Sequence, residues 1–363
     1  MIEKIKKEIE RSLTHFLVKI ESEYRLKWAS PILFESIKDF TLRPGKRIRP
    51  LLLILSYLGY NKAGRKPSPS IYNASTCIEF LHNFMLIHDD IIDESSLRRG
   101  KPTLHKLLAK AVKSNNSDKL GSNLSIVAGD IVYALAIDAF LLIDEEPKRK
   151  EAALKRFIKT AAFTAMGEFI DIVHGVEKVQ RISETDVFLN YTMKTAKYTF
   201  ECPLVIGAIL AGAGKRDIGL LSRFGILIGQ AFQIQDDIIG IFGSQKNIGK
   251  SILSDLAEFK KTILVCHAYN TLKPKPRRRF IQYFEKEKKI YSDLVAVRKI
   301  FIDIGSLSYS LHKIQFLLSE AETIITKLHI KDSYRHLIWK SLLALFETSN
   351  SIAKDNNINF KIT

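Results

Sequence analysis

Leu86-Ile-His-Asp-Asp-Ile-Ile-Asp-Glu-Ser-Ser-Leu-Arg-Arg-Gly-Lys-Pro102 is the stretch that decides how this chain reads. Asp89 and Asp93 stand four residues apart, so on a helix their carboxylates leave one face one turn apart. Phe84, Met85, Leu86 and Ile87 precede them, so the helix enters from an apolar core. Acidic groups this close repel each other unless a cation sits between them. Hard oxygen ligands so arranged suit Mg2+, which keeps its waters and bridges to substrate phosphates. Arg98 and Arg99 follow at once, and guanidinium forks match phosphate oxygens. A second acidic pair, Asp236 and Asp237, ends the apolar stretch Gly229-Gln-Ala-Phe-Gln-Ile-Gln-Asp-Asp-Ile-Ile-Gly240. One isolated pair would read as a solvated helix end. Two pairs in apolar helices, one trailed by Arg-Arg, are better explained as facing aspartate helices holding Mg2+ and a diphosphate.

The surrounding pattern is helical. Leu13, Phe16, Leu17 and Ile20 follow a 3.6-residue period, as do Phe157, Ile158, Ala161, Ala162 and Ala165. Alternating strand patterns bounded by Asn-Gly or Asp-Gly turns are missing, and most prolines fall where helices would begin or end. A single all-α domain spanning residues 1–363, with roughly ten or more helices, is predicted. With 46% hydrophobic and 26% charged residues the chain can bury a sizeable core. The N-terminus reads as an amphipathic helix, not a secretory signal. The apolar runs Leu51–Leu58 and Leu204–Ala213 are shorter than the roughly 18–20 residues of a membrane span, so no transmembrane segment is expected. Cys77, Cys202 and Cys266 are odd in number and in no metal spacing, which fits a reducing, cytoplasmic setting. The net charge, 56 − 39 = +17, calls for an anionic partner: nucleic acid, a membrane surface or phosphorylated substrates.

The motifs choose among these. Asp89-Asp-Ile-Ile-Asp93 with Arg98-Arg99-Gly100 resembles the first aspartate-rich motif of the trans-isoprenyl diphosphate synthases, and Phe232-Gln-Ile-Gln-Asp-Asp237 resembles the second. The likeness runs from Pro44-Gly-Lys-Arg-Ile-Arg-Pro50 through Lys194-Thr195 to Asp255-Leu-Ala-Glu-Phe-Lys-Lys-Thr262. It implies an isoprenoid-synthase fold, helices around a central cavity, and a homodimer. It also implies two or three Mg2+ ions held by Asp89, Asp93 and Asp236. Lys46, Arg49, His82 and Arg99 would bind the diphosphate of isopentenyl diphosphate. Arg98, Lys194, Thr195, Gln233, Lys250 and Lys260 would bind that of the allylic substrate. The implied reaction is ionisation of the allylic diphosphate, attack by isopentenyl diphosphate and loss of a proton. Asp89, Asp93, Asp236, Lys194 and Arg98 would carry its catalysis.

Residues upstream of Asp89 would set product length. Phe84 lies five residues before it, about 7–8 Å along a helix, and Leu81 eight before, about 12 Å. In the family an aromatic at the fifth position limits elongation, and a second aromatic at the fourth marks farnesyl makers. The fourth position here is Met85, a pattern similar to archaeal geranylgeranyl diphosphate synthases, so a C20 product is expected, with farnesyl and longer chains as alternatives. Three residues depart from the family pattern: Gly240 where an Asp is common, Phe259 where Gly precedes the lysine, and Glu168 where Gln is usual. Lys261 is the stand-in for Lys260 if that lysine is displaced. A catalytically silent regulatory subunit would be expected to lose an acid or arginine of the first motif, yet Asp89, Asp93, Arg98 and Arg99 are all present. No nucleic-acid-binding motif occurs and the basic residues are dispersed, so no nucleic-acid partner is expected. The cluster Lys273-Pro-Lys-Pro-Arg-Arg-Arg279 reads as a solvated loop, with weak contact to a membrane surface as the alternative.

Overall fold

Ile5, Ile9, Leu13, Phe16, Leu17 and Ile20 recur at helical spacing, and all six are buried along α1 (Ile2–Tyr24). Each such side chain contributes about 1.5–3 kcal/mol by leaving water. The computed structural model describes residues 1–62, 68–112, 115–243, 260–286 and 288–362. The chain falls into two compact units: Met1–Lys155 with Val205–Ala213, and Arg156–Leu204 with Gly214–Thr363. Both are helical, as the sequence predicts.

The first unit continues through α2 (Leu26–Ala29), α3 (Pro31–Leu42), α4 (Ile48–Tyr60) and α5 (Ile71–Ile92). Pro31 and the Ser30 hydroxyl, which accepts from the Leu33 N–H, start α3. Leu51 to Leu55 are buried in succession, so α4 is surrounded on all sides. A short ribbon follows, β1 (Leu97–Arg98) pairing antiparallel with β2 (Lys101–Pro102). Its two turn residues, Arg99 and Gly100, both have positive φ (55° and 72°), the backbone of a tight two-residue hairpin. Next come α6 (Leu104–Ala111) and α7 (Ser117–Leu141), which packs on α5 and α6.

Helix α7 departs from the expectation about membrane spans. It is 25 residues long, long and apolar enough to cross a membrane by length and composition, and 44% of its most apolar stretch is buried inside the protein. Its buried face mixes small residues (Gly121, Ala128, Gly129, Ala136, Ala139) with Val132, Leu135 and Phe140. Glycines, serines and three aspartates (Asp118, Asp130 and Asp138) punctuate the segment, so it holds no long uninterrupted apolar run.

The chain passes into the second unit along α8 (Pro147–Val176), where Phe157 and Ala161 are buried but Ile158 is exposed. After α9 (Glu184–Asn190), residues Tyr191–Glu201 form a π-helical run before α10 (Cys202–Ala211). The unit is completed by α11 (Lys215–Phe242), α12 (Ile263–Thr271), α13 (Pro274–Glu285), α14 (Tyr291–Asp303), α15 (Ser306–Ile325), α16 (Asp332–Leu343) and α17 (Glu347–Asp355). Helix α11 is its axis, packed against α15 and the π-helical run. The cluster read as a loop instead opens α13: Pro274 sits at the first helical position, and Phe280 and Phe284 are buried on the opposite face from Lys275, Arg278 and Arg279. The basic residues remain exposed, as expected, but on a helix.

Candidate active site

In the first unit, α5 carries a column of functional side chains. Glu79, His82 and Asp90 are buried, while Asp89 lies in the last turn and Asp93 ends the helix, its N–H donating to the Asp89 carbonyl at 2.8 Å. Asp89 and Asp93 thus mark one helix end, as the spacing predicts. The ribbon brings Arg98 back onto them. Its Nη2 lies 3.0 Å from Asp89 Oδ2 and 2.5 Å from Asp90 Oδ1, and its Nε donates to Asp90 at 2.8 Å. Burial works against the Arg98 charge, but the two carboxylates outweigh it and hold its pKa above the usual arginine value. Among the described residues no group of three or more His, Cys, Asp or Glu side chains is gathered for a metal ion. Asp89 and Asp93 nevertheless fit Mg2+, which is commonly held through one or two carboxylates with water and phosphate completing its shell.

Arg99, next in sequence, goes elsewhere. Its left-handed backbone turns the side chain towards the start of α4, where Nη1 donates to the Arg43 carbonyl at 3.3 Å. A Cβ on Gly45 would come within 3.1 Å of the Arg99 guanidinium carbon, so a larger residue there would press on that side chain. Arg49 in the first turn of α4, Arg99 and His82 all belong to this corner of the unit, and their charges reach His82. Burial first, then Arg49, Arg99, Arg98 and Arg47, push the His82 pKa well below the ordinary histidine value, so the ring is neutral. Lys46 is exposed.

The organiser of this corner is a pair the sequence reading did not assign. Arg47 and Glu79 are each 2% exposed by side chain, and Arg47 Nη1 donates to Glu79 Oε1 at 2.5 Å. Arg47 also binds Glu10 (2.7 Å) and the carbonyls of Thr41 (2.9 Å) and Arg43 (3.1 Å). Glu79 lies 4.0 Å from Arg99 Nη2, placing one buried carboxylate between two guanidiniums. The available signal was that Glu79 precedes His82 by three residues and shares its face. Further along α5, Phe84 packs against His88 (4.7 Å between ring centres) and against Tyr133 of α7 (4.9 Å). Met85 is half-buried and Leu81 fully buried. Tyr133 was also not anticipated.

In the second unit, Lys194 and Thr195 lie on the π-helical run, a geometry that recurs at functional sites. Gly229 of α11 lets that helix approach the run closely: a Cβ there would stand 2.3 Å from Ala196. Thr195 Oγ1 donates to Gln233 Oε1 at 2.5 Å, and Gln233 Nε2 donates to Asp237 Oδ1 at 3.0 Å. Asp237 is buried and accepts from the Tyr191 hydroxyl, which itself accepts from the Ile263 N–H (3.1 Å). Burial first, then the Asp237 charge, raises the Tyr191 pKa well above the usual value, so the phenol stays a donor. Asp236 is exposed, so the two members of the pair divide: Asp237 braces the helix and Asp236 faces outward. Gly240 is buried.

Lys194 Nζ lies 2.7 Å from Asp171 and 2.9 Å from Glu168, which assigns a partner to the Glu168 departure. The charge of Lys260, half-buried, reaches Asp171. Lys261 is buried instead and donates to the Gly175 carbonyl at 2.6 Å, with burial bringing its pKa down to about 8. Lys250 and Phe259 lie outside the described residues.

Residues 30–301 match the polyprenyl synthetase family. A short chain isoprenyl diphosphate synthase of Methanocaldococcus jannaschii is 32% identical over 69% of this chain and 70% of its own length. A geranylfarnesyl diphosphate synthase of Aeropyrum pernix is 31% identical over 80% of this chain and 85% of its own. A geranylgeranyl pyrophosphate synthase of Corynebacterium glutamicum, solved in complex with isoprenyl diphosphate and magnesium, aligns with TM-score 0.85 and 26% identity over 96% of this chain and 99% of its own. The chain belongs to the polyprenyl synthetase family, and its activity class is that of an isoprenyl diphosphate synthase. Among these relatives the named products differ in length.

Proposed function

We propose that this protein makes geranylgeranyl diphosphate, C20, by condensing isopentenyl diphosphate with allylic diphosphates, as one catalytic domain over residues 1–363. The observation that carries the reading is the sharing of one unit by an acidic helix end and a cluster of guanidiniums around a neutral histidine. Anions bind where fixed donors and cations converge. Lys46, Arg49, His82 and Arg99 bind the isopentenyl diphosphate, with His82 contributing a neutral hydrogen-bonding ring. Asp89 and Asp93 would hold Mg2+ at the end of α5, with Asp236 as a further carboxylate ligand, and the metal would supply positive charge to offset that of the allylic diphosphate. Arg98, Lys194, Thr195, Gln233, Lys250 and Lys260 bind that diphosphate and stabilise the charge developing on it. The allylic C–O bond breaks, the isopentenyl double bond attacks the allylic carbon, and a proton leaves to the departed diphosphate. The protein orients the two substrates and excludes water from the cation.

The C20 assignment is supported by Phe84, wedged between His88 and Tyr133 one to two turns before Asp89. A homodimer is supported by apolar side chains left in solvent, among them Phe169 (69% exposed) and Val176 (87%) on α8. Three buried free thiols support a cytoplasmic setting. The test is product analysis with isopentenyl diphosphate, Mg2+ and each allylic primer, beside a mass measurement in solution. C20 as the dominant product supports the reading. C15 or longer products displace the length assignment, and no elongation with any primer makes the chain a silent subunit. Asp89→Ala should lose most turnover while remaining folded; unchanged turnover removes the metal role.

A further inference from the structure

Lys194 is held by two carboxylates set three residues apart on α8. Its Nζ lies 2.7 Å from Asp171 Oδ2, 2.9 Å from Glu168 Oε2 and 3.1 Å from Glu168 Oε1. All three side chains are 21% exposed, so the clamp is largely shielded from water. Asn190 Nδ2 donates to Asp171 Oδ1 at 2.8 Å and fixes that carboxylate in place. The two backbones pack closely here, since a Cβ on Gly167 would stand only 2.3 Å from the Lys194 nitrogen. Asp171 alone would neutralise Lys194. With Glu168 added, the three side chains carry one net negative charge where an amide at position 168 would leave none. A diphosphate that recruits this ammonium must therefore displace a carboxylate, and the charge of Lys260, which also reaches Asp171, offsets only part of that competition.

We propose that Glu168 is a positioning residue that lowers the affinity for the allylic diphosphate by holding Lys194 until the ligand displaces it. The inference rests on the reading of Lys194 as a diphosphate-binding residue. Glu168 acts through Lys194 on the binding of the ligand and takes no part in bond breaking. Its effect falls on KM and on the affinity for inorganic diphosphate more than on kcat.

The experiment uses the full chain in steady-state kinetics, varying each substrate in turn, with inorganic diphosphate as a competitive probe. Glu168→Gln should lower both the allylic KM and the diphosphate inhibition constant roughly fivefold, as expected for removing one partly shielded charge. The KM for isopentenyl diphosphate should stay unchanged. Glu168→Asp, which keeps the charge, should remain close to the parent. Allylic KM and inhibition constant unchanged or raised in Glu168→Gln would overturn the proposal. Lys194→Gln separates the two levels: if it raises the allylic KM while Glu168→Gln does nothing, Lys194 keeps its role and Glu168 loses its own. If Lys194→Gln leaves the allylic KM unchanged, the reading of Lys194 fails, and the inference with it.

Discussion

Replacing Glu79 tests whether the guanidinium corner depends on one buried carboxylate. Glu79 and Arg47 are each 2% exposed, 2.5 Å apart, with Arg99 4.0 Å away. Removing one partner of a buried pair typically costs about 3–5 kcal/mol, since the other charge is left in a poor solvent. Glu79→Gln keeps the volume and one acceptor oxygen, and Glu10, 45% exposed, still pairs with Arg47. That variant should therefore fall below the typical range, at about 2 kcal/mol, whereas Glu79→Leu, which removes the acceptor as well, should reach the full about 3–5 kcal/mol. With a urea slope of about 3 kcal/mol/M, 2 kcal/mol moves the unfolding midpoint by about 0.7 M. Urea unfolding followed by circular dichroism reads this directly. On folded Glu79→Gln, steady-state kinetics should show a lowered KM for isopentenyl diphosphate, because the internal carboxylate that competes for Arg99 is gone, with the allylic KM unaffected. A midpoint within about 0.2 M of the parent, together with an unchanged isopentenyl KM, would refute the organising role of Glu79.

Three further outcomes follow from the geometry. Phe84→Ser should shift the products to longer chains, and an unaltered distribution in product analysis would make Phe84 a plain core residue. Gly229→Leu should destabilise the protein severely, because even a Cβ there would stand 2.3 Å from Ala196; a parent-like melting temperature would contradict that close approach. Stability should fall as pH drops below about 6.5, since the unfolded chain binds a proton at His82 that the folded protein refuses. The contribution is present above the unfolded pKa and lost on acidification, so His82→Gln should flatten the acid limb of a pH–stability curve, and an unchanged limb would assign it to other groups.

The helical class, the paired aspartates and the basic residues were legible because each rests on local spacing. Apolar residues at a 3.6-residue period choose a helix whatever surrounds it, and α1 follows its pattern residue for residue. Carboxylates four apart share a helix face by geometry alone. Where punctuation interrupted the apolar pattern, as in α7, or where proline masked a helix start, as in α13, local reading went astray.

From the sequence alone came the chemistry present: which acids, which cations and in what order. The tertiary structure decided which of them meet. Nothing in Arg98-Arg99 says that one returns to Asp89 and Asp90 while the other turns to Gly45 and Glu79; Arg98 ends a strand and Arg99, with positive φ, begins the hairpin turn. Nothing in Arg47-Ile-Arg49 marks Arg47 as the buried one, and nothing in Asp236-Asp237 tells the bracing acid from the exposed one. Glu168 and Lys194 stand 26 residues apart, and their contact depends on a glycine that lets two backbones touch. Pairings of this kind are set by packing between distant segments, where burial makes an unpaired charge costly, and local spacing carries no record of them.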